Sequence, residues 1–531
     1  MKTYFHYPKI RLYSLWLLLA LGMTACIDDL NTKPIDKNIT TADDAYKDPA
    51  AYKQVLAKIY AVFALSGQVG PDGNPDLATN DEGSSNYLRQ LWNMQELTTD
   101  EAICAWNNAG LPDLHNQSWS AANDYITITY DRIFYQISIA NEYLRATTDS
   151  KLDSRGVTGD LRTQIGYYRA EARLIRDLAY YQALDLYGNV PFVEEKDGVG
   201  TFNPQQISRK DLFTWLENDL IEIIPQLKDP HTNEYGRADQ ALAWTILAKL
   251  YLNAEVYTGT SRYTDAITYC NKIIPHYQPD DNYQHLFMAD NHTAKGIIFP
   301  IAFDGQHTQT YGGTTFLIFA AIGGDSIVPQ NYGVNSGWAG NRTTAEFMAK
   351  FDPGDRRAQF FTKGQTSIEV NQQSDFKQGV IVTKFSNMKS TGGTGSNLSF
   401  VDTDFPMYRI ADIYLMYAEA ILRGGTGGDL NTALGYINDL RYRAYGDNSG
   451  QISASQLTLD FILEERAREL YWEGHRRTDL IRFKRFSETN YTWPWKGGVI
   501  GGRSTNSNYN LFPIPSSDLG ANPNLKQNPG Y

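Results

Sequence analysis

"ADQALAWTILAKLYLNAEVY", residues Ala238–Tyr257, followed by "YTDAITYCNKII", Tyr263–Ile274, decides the fold. In both segments apolar residues recur at i, i+3, i+4 and i+7, the period of an α-helix with one buried stripe. Ala248 and Tyr251 in the first segment, and Ala266 and Ile267 in the second, stand where small and large side chains interlock, and Pro275 ends the pair. Two such helices form a hairpin that cannot bury its stripe alone and needs neighbours of the same kind.

The neighbours are present. "YRIADIYLMYAEAILRG" and "LNTALGYINDLRYRAY" repeat the scheme, with Tyr417, Ala418 and Ala420 marking the close-packed face, and "YRAEARLIRDLAYYQALDLYG" with "DLFTWLENDLIEII" supplies an earlier pair. Stacked pairs of this type are tetratricopeptide-like, and they build scaffolds and binding surfaces. Periodicity predicts helices over Ala51–Leu65, Asn123–Leu144, Leu161–Leu186, Asp211–Ile224, Asp239–Tyr257, Tyr263–Ile274, Ile410–Leu422, Leu430–Arg443 and Leu459–Trp472. Residues 296–405 differ: short apolar runs such as "GIIFPIAF" and "GVIVTKF", broken by "STGGTGSN", predict loops with a few short strands. The expected architecture is mainly α, a tetratricopeptide-like helical-repeat scaffold with an irregular, loop-rich ligand-binding face. Its expected parts are a helical region 41–295 and a C-terminal region 296–531 carrying the loop-rich insert 296–405.

The first 25 residues read as a secretory signal. Lys2, Lys9 and Arg11 precede the apolar stretch Leu12–Met23, which is shorter than the ~20 residues of a membrane-spanning helix. "MTAC", Met23–Cys26, resembles the lipobox of bacterial lipoproteins, with Met23 where that pattern favours leucine; it predicts a lipidated Cys26 heading a tether over residues 26–40. Removing residues 1–25 takes three cations and no acid from a chain of net charge −12, leaving −15. An acidic surface of that size repels phosphates and argues against nucleic acid as a partner. Cys104 and Cys270 are the remaining cysteines, too few for a disulfide framework, and whether they pair is left open by the sequence.

Aromatic residues make up 13% of the chain, with 35 Tyr and 10 Trp, an excess that serves core packing or flat-ligand recognition. Sugars present flat C–H faces and hydroxyl edges, so a binder needs rings for stacking and Arg, Asn, Asp or Gln at their margins. Trp106 in "CAWNNAG", beside Asn107 and Asn108, and Trp338 in "NSGWAGNR", between Gly337 and Gly340, stand in contexts poorly suited to a helix core. Phosphate-loop, nucleophile-elbow and zinc-protease motifs are absent. No cofactor is expected. The loop acids Asp280, Asp281 and Asp290 are of the type that holds structural calcium, but no 12-residue EF-hand pattern accompanies them. A paired-carboxylate glycosidase is the enzymatic rival, because its acids have no fixed sequence spacing.

"YRIADIYLMYAEA" (Tyr408–Ala420), "EERARELYWEGHRRTDLIRF" (Glu464–Phe483) and "LFPIPSSDLGANPNLKQNPGY" (Leu511–Tyr531) resemble blocks of the SusD/RagB outer-membrane lipoproteins of the Bacteroidetes. "AYKQVLAKIYA" and "LTTDEAICAWNNAGLPDLHNQSW" (Leu97–Trp119) are similar to the starch-binding founder of that family. The resemblance implies a non-enzymatic, cell-surface protein that binds starch or maltooligosaccharides and serves a SusC-like TonB-dependent transporter. Another glycan or a peptide on the same scaffold is the alternative. By resemblance Trp106 and Trp338 match glucan-stacking tryptophans and Arg89, in "YLRQLW", a hydroxyl-contacting arginine. The third platform position falls in "TYGGTTFLIF", on Phe316 with Tyr311 as competitor. Acids soon after the lipidated cysteine, here Asp28 and Asp29, resemble a surface-export address. The charged block Glu464–Phe483 is expected to be a salt-bridged piece of scaffold.

Overall fold

The computed structural model describes residues 42–531 except 72, 74, 80, 81 and 201. The expectations for Cys26, Asp28, Asp29 and the tether therefore lie outside the described residues. Contacts divide the chain into Met1–Tyr52 and Lys53–Tyr531. Of the first unit the described part holds one helical turn, Ala42–Ala45, and a Tyr46–Tyr52 ring contact at 4.8 Å.

The helices in chain order are α1 (Ala51–Ala64), α2 (Tyr87–Gln95), α3 (Asp124–Ala146), α4 (Gly159–Leu186), α5 (Arg209–Ile223) and α6 (Gln240–Leu252). They continue with α7 (Tyr263–Ile273), α8 (Gly313–Ala321), α9 (Ile410–Leu422), α10 (Leu430–Tyr445), α11 (Leu459–Leu470) and α12 (Arg476–Arg482). Side-chain caps fix their starts: Asn123 accepts from the N–H groups of Tyr125 and Ile126, Asp239 from Ala241, and Asp429 from Asn431 and Thr432. The helix predicted over 239–257 breaks at Asn253, whose amide donates to the Lys249 carbonyl at 2.9 Å while its oxygen accepts from Arg482 at 2.9 Å. A separate short helix, Ala254–Thr258, follows.

Helix α4 packs on α3 and α5, α5 on α6, α6 on α7, α7 on α9, and α9 on α10 and α11. Ala248, Ala266, Ile267, Tyr417, Ala418 and Ala420 are buried in this stack, where the alanines let the backbones approach. The fold is mainly α, a tetratricopeptide-like stack with few short strands. Those strands are β1 (Ile103–Cys104), β2 (Val190–Pro191), β3 (Gln206–Ile207), β4 (Ile297–Ile301), β5 (Asn341–Arg342), β6 (Phe360–Phe361), β7 (Ile381–Val382) and β8 (Phe405–Arg409). They pair antiparallel as β1–β5, β2–β3, β4–β8 and β6–β7. Among the described residues no helix is long and apolar enough to cross a membrane. Cys104 and Cys270 are separate thiols.

Helices α2, α8 and α12 go beyond the helices that periodicity predicts, α12 lying within the charged block. Helix α8 falls in the segment expected to hold only loops and strands, and all nine of its residues are buried. Helix α2 is buried along its whole length, Gln90, Asn93 and Gln95 included. Helix α8, covered on every side, shows no amphipathic period, whereas α2 keeps one but at nine residues is too short for it to stand out in the sequence.

The charged block is a buried ion-pair network. Glu465 accepts from Arg357 at 2.8 Å, Arg441 at 2.7 Å and Arg468 at 2.8 Å. Glu469 accepts from Arg409 at 2.6 Å, Arg443 at 2.5 Å and Arg357 at 3.0 Å. Glu473 accepts from Lys384 and Arg409, each at 2.6 Å. Burial pushes the Glu465 carboxyl up, but the guanidiniums of Arg357, Arg468 and Arg441 outweigh it and hold the group down at about 2. Nearby, Glu96 and Glu101 are a second pair of buried acids, each raising the other's cost of ionisation. Glu96 accepts from the N–H groups of Gly474 and His475, and Glu101 from that of Trp472. Burial pushes Glu96 up to about 7, and burial with the neighbouring Glu96 raises Glu101 well above its usual range, so the pair holds a proton at neutral pH.

Two tests follow from these clusters. Glu469→Gln takes one of several carboxylates from Arg357 and Arg409 and leaves the buried Arg443 without its Glu469 partner, and is expected to cost about 3–5 kcal/mol in denaturant unfolding; a loss below about 1 kcal/mol would show the network to be dispensable. For Glu96, whose folded-state value lies above the ordinary 4.5, proton binding favours the folded state. That contribution is full below pH 4.5 and is lost as pH rises through about 7. Glu96→Gln, which imitates the protonated acid, should therefore gain stability relative to the wild type between pH 5 and pH 8, at about those limits. A difference that does not change with pH contradicts the shared proton.

Candidate functional site

Two residues of β-pairing build the site. Ile103 lies opposite Arg342 and Cys104 opposite Asn341, and the Ala105 N–H extends the ladder to the Gly340 carbonyl at 2.8 Å. Trp106 and Trp338, 232 positions apart in sequence, are thereby brought together: the Trp106 indole N–H donates to the Trp338 carbonyl at 3.1 Å, and the rings lie 6.5 Å apart at 41°. The Trp338 segment is tied to the end of α8, with the N–H groups of Trp338, Ala339 and Gly340 donating to the carbonyls of Phe319, Ile322 and Ala320. This route forces Ala339 to φ 51°, in the left-handed region.

Glycine is required beside it. A Cβ on Gly340 would stand 2.5 Å from Trp106 Cε2, inside the indole. Tyr311 completes an aromatic set, its ring 6.2 Å from Trp338. Trp106, Trp338 and Tyr311 are all half-buried and border one open cavity of about 790 Å³. Arg89 and Asn108 line it as well, whereas Asn107 is exposed and is not among the lining residues.

Phe316 does not take the third platform position. It is 1% exposed, because α8 is covered on every side, and its ring lies under Arg89 at 4.5 Å and against Trp92 at 5.7 Å. Tyr311, two residues before α8, stands at the cavity edge instead. Arg89 is itself 6% exposed and its guanidinium lies over the Trp106 ring at 5.7 Å. Asn86 seats this corner: its side chain caps α2 through the Arg89 N–H, accepts from the Gly313 N–H at 3.0 Å and donates to the Ala64 carbonyl at 2.8 Å.

Helix α3 adds residues that sequence reasoning missed. Asp124, Thr127 and Asp131 line the same cavity. The signal was their i, i+3, i+7 spacing, indistinguishable in sequence from an ordinary solvated helix face. Burial and the Asp518 carboxylate push Asp131 up to about 6. Among the described residues no group of three His, Cys, Asp or Glu side chains is arranged to hold a metal. Asp280 accepts from the N–H groups of Asn282 and Lys295, Asp281 pairs with Lys295 at 2.9 Å, and Asp290 accepts from Ser390.

The sequence profile described as the SusD family matches residues 358–531. "Starch-binding protein SusD" of Bacteroides thetaiotaomicron is 36% identical to this chain over 97% of each. The chain belongs to the SusD family. A "SusD-like protein" of Bacteroides ovatus is 26% identical over 88% of this chain and 81% of its own. Among solved structures, surface glycan-binding protein A from Bacteroides fluxus superposes with a TM-score of 0.70 at 20% identity, covering 91% of this chain and 99% of its own. The same-named protein from Bacteroides thetaiotaomicron, solved in complex with laminarihexaose, gives a TM-score of 0.66 at 19% identity over 90% and 98%. At those identities the two structures show the SusD-family fold and nothing finer. The aromatic set lies outside the profile match, so its relation to the family rests on the full-length relative.

Gly340→Ala is expected to push the Trp106 indole out of its seat and to cost about 1–3 kcal/mol in denaturant unfolding, with a changed tryptophan near-ultraviolet dichroism. Gly435→Ala, in α10 with no atom within 4 Å of the added Cβ, serves as the contrast and should gain up to about 1 kcal/mol. Equal effects at the two positions would contradict the close packing described for Gly340.

Proposed function

We propose that this chain is a lipid-anchored protein of the outer face of the outer membrane that binds starch or maltooligosaccharides and passes them to a SusC-like TonB-dependent transporter. The observation that carries the reading is the assembly of Trp106, Trp338 and Tyr311 from distant parts of the chain around one open cavity. Rings set at angles to one another suit a curved glucan, whose successive sugars present their faces in different directions. The 36% identity to a full-length starch-binding relative supports an α-glucan as ligand, and the Cys26 segment supports a lipid anchor.

The full-length relative named for starch binding supports a binding role.

Calorimetric titration with maltoheptaose should show saturable binding by the wild type. Trp106→Ala and Trp338→Ala should each weaken it about tenfold, or about 1.4 kcal/mol. Unchanged affinity in both variants overturns the site. A wild type that ignores α-glucans but binds another glycan on an array overturns the substrate, and shortened products after incubation overturn the binding-only role.

A further inference from the structure

The cavity has a second wall whose chemistry differs from that of the rings. Helix α3 buries Ile126, Ile133 and Ile137 and turns Asp124, Thr127 and Asp131 toward the cavity. Both acids are exposed, and Thr127 is half-buried. Among the described lining residues the charged groups are these two carboxylates and Arg89. The Arg89 guanidinium lies 4.5 Å over Phe316 and is almost fully covered, so the accessible charge of the cavity is that of the acids.

A carboxylate offers only acceptor sites, and the Thr127 hydroxyl, which donates its own proton to the Asn123 carbonyl at 3.2 Å, adds an acceptor. Ligand hydroxyls donating to carboxylates make charge-assisted hydrogen bonds, stronger than neutral ones. A ligand that carries carboxylates or sulfates instead meets like charges in a partly desolvated site, where repulsion exceeds its value in water. Among the described residues no cation relieves Asp131. The influences on it are burial and Asp518, and Tyr130 donates its hydroxyl proton to Asp518 on the adjoining helix Ser516–Ala521.

We infer that Asp124, Thr127 and Asp131 form a hydroxyl-accepting wall that makes the cavity selective for uncharged glycans and excludes uronic-acid and sulfated polysaccharides, an inference that rests on the glycan-binding function proposed for the cavity. The rings supply stacking to any sugar, charged or not. The acidic wall supplies the discrimination.

Pullulan and carboxymethyl-pullulan of matched length share an α-glucan backbone and differ in charge. Titrated at low salt, the wild type should prefer the neutral polymer at least tenfold. The Asp124→Asn, Asp131→Asn double variant should bind pullulan several-fold more weakly and lose at least five-fold of that preference. Thr127→Val should weaken pullulan binding with the preference intact. Asp149→Asn with Asp153→Asn, acids that do not line the cavity, should change neither. A wild type that binds both polymers equally overturns the selectivity, as does a preference unchanged in the double variant or lost equally in the Asp149 and Asp153 control. Should the double variant fail to fold by circular dichroism, the two single variants decide the same ratio. A wild type that binds no neutral α-glucan fails at the earlier step, overturning the proposed function itself.

Discussion

Three carboxylates at four-residue spacing, Glu465, Glu469 and Glu473, hold the C-terminal half of the molecule together. Their partners come from separate segments: Arg357 and Lys384 from the loop-rich insert, Arg409 from the end of β8, and Arg441 and Arg443 from α10. Each ion is costly to bury alone and tolerable only when its counter-ions are seated. Closure of the insert, pairing of β4 with β8 and docking of α10 on α11 are therefore mutually conditional. The irregular segment is pinned by charge where a helix stack is pinned by apolar stripes, which is why a stretch rich in glycine keeps a definite course.

The aromatic cavity depends on that course. Trp106 leaves the helical half through β1, Trp338 leaves the insert just before β5, and a two-residue ladder sets their distance. Beneath them the buried α8 gives two carbonyls, and Ile322 just after it a third, to the Trp338 segment, and α8 places Phe316 under Arg89. Neither ring is held by its own helix. Their relative placement is a property of the joint between a regular scaffold and an irregular insert, consistent with function residing in loops carried by a rigid frame.

The scaffold was legible in the sequence where helices are half-exposed. The period over Ile410–Leu422 gives the observed helix to the residue, and that over Leu430–Arg443 falls two residues short of its end at Tyr445. Helix α8 was hidden because burial on all sides erases the period, and α2 because nine residues are too few for its period to stand out. In the site, the glycines around Trp338 signalled an unusual setting, and Gly340 proves to make room for the Trp106 indole. The β1–β5 pairing is too short to leave a pattern, and a sequence block could not say whether Phe316 or Tyr311 reaches the cavity. Asp124 and Asp131 were passed over because two acids on one helix face read as solvation.

The Trp106 indole N–H is spent on the Trp338 carbonyl, within a pair of rings 6.5 Å apart and inclined at 41°. Two aromatic chromophores that close and that skewed couple their electronic transitions. The coupling has a sign and a strength set by the angle, and Arg89 lies over one member of the pair. The core pair Trp92 and Trp472, 5.1 Å apart at 77°, couples as well, but the cleft pair is the one of the two that borders the open cavity. Anything laid across the two rings changes the polarisability around them and so writes its presence into the spectrum of the protein, without a label.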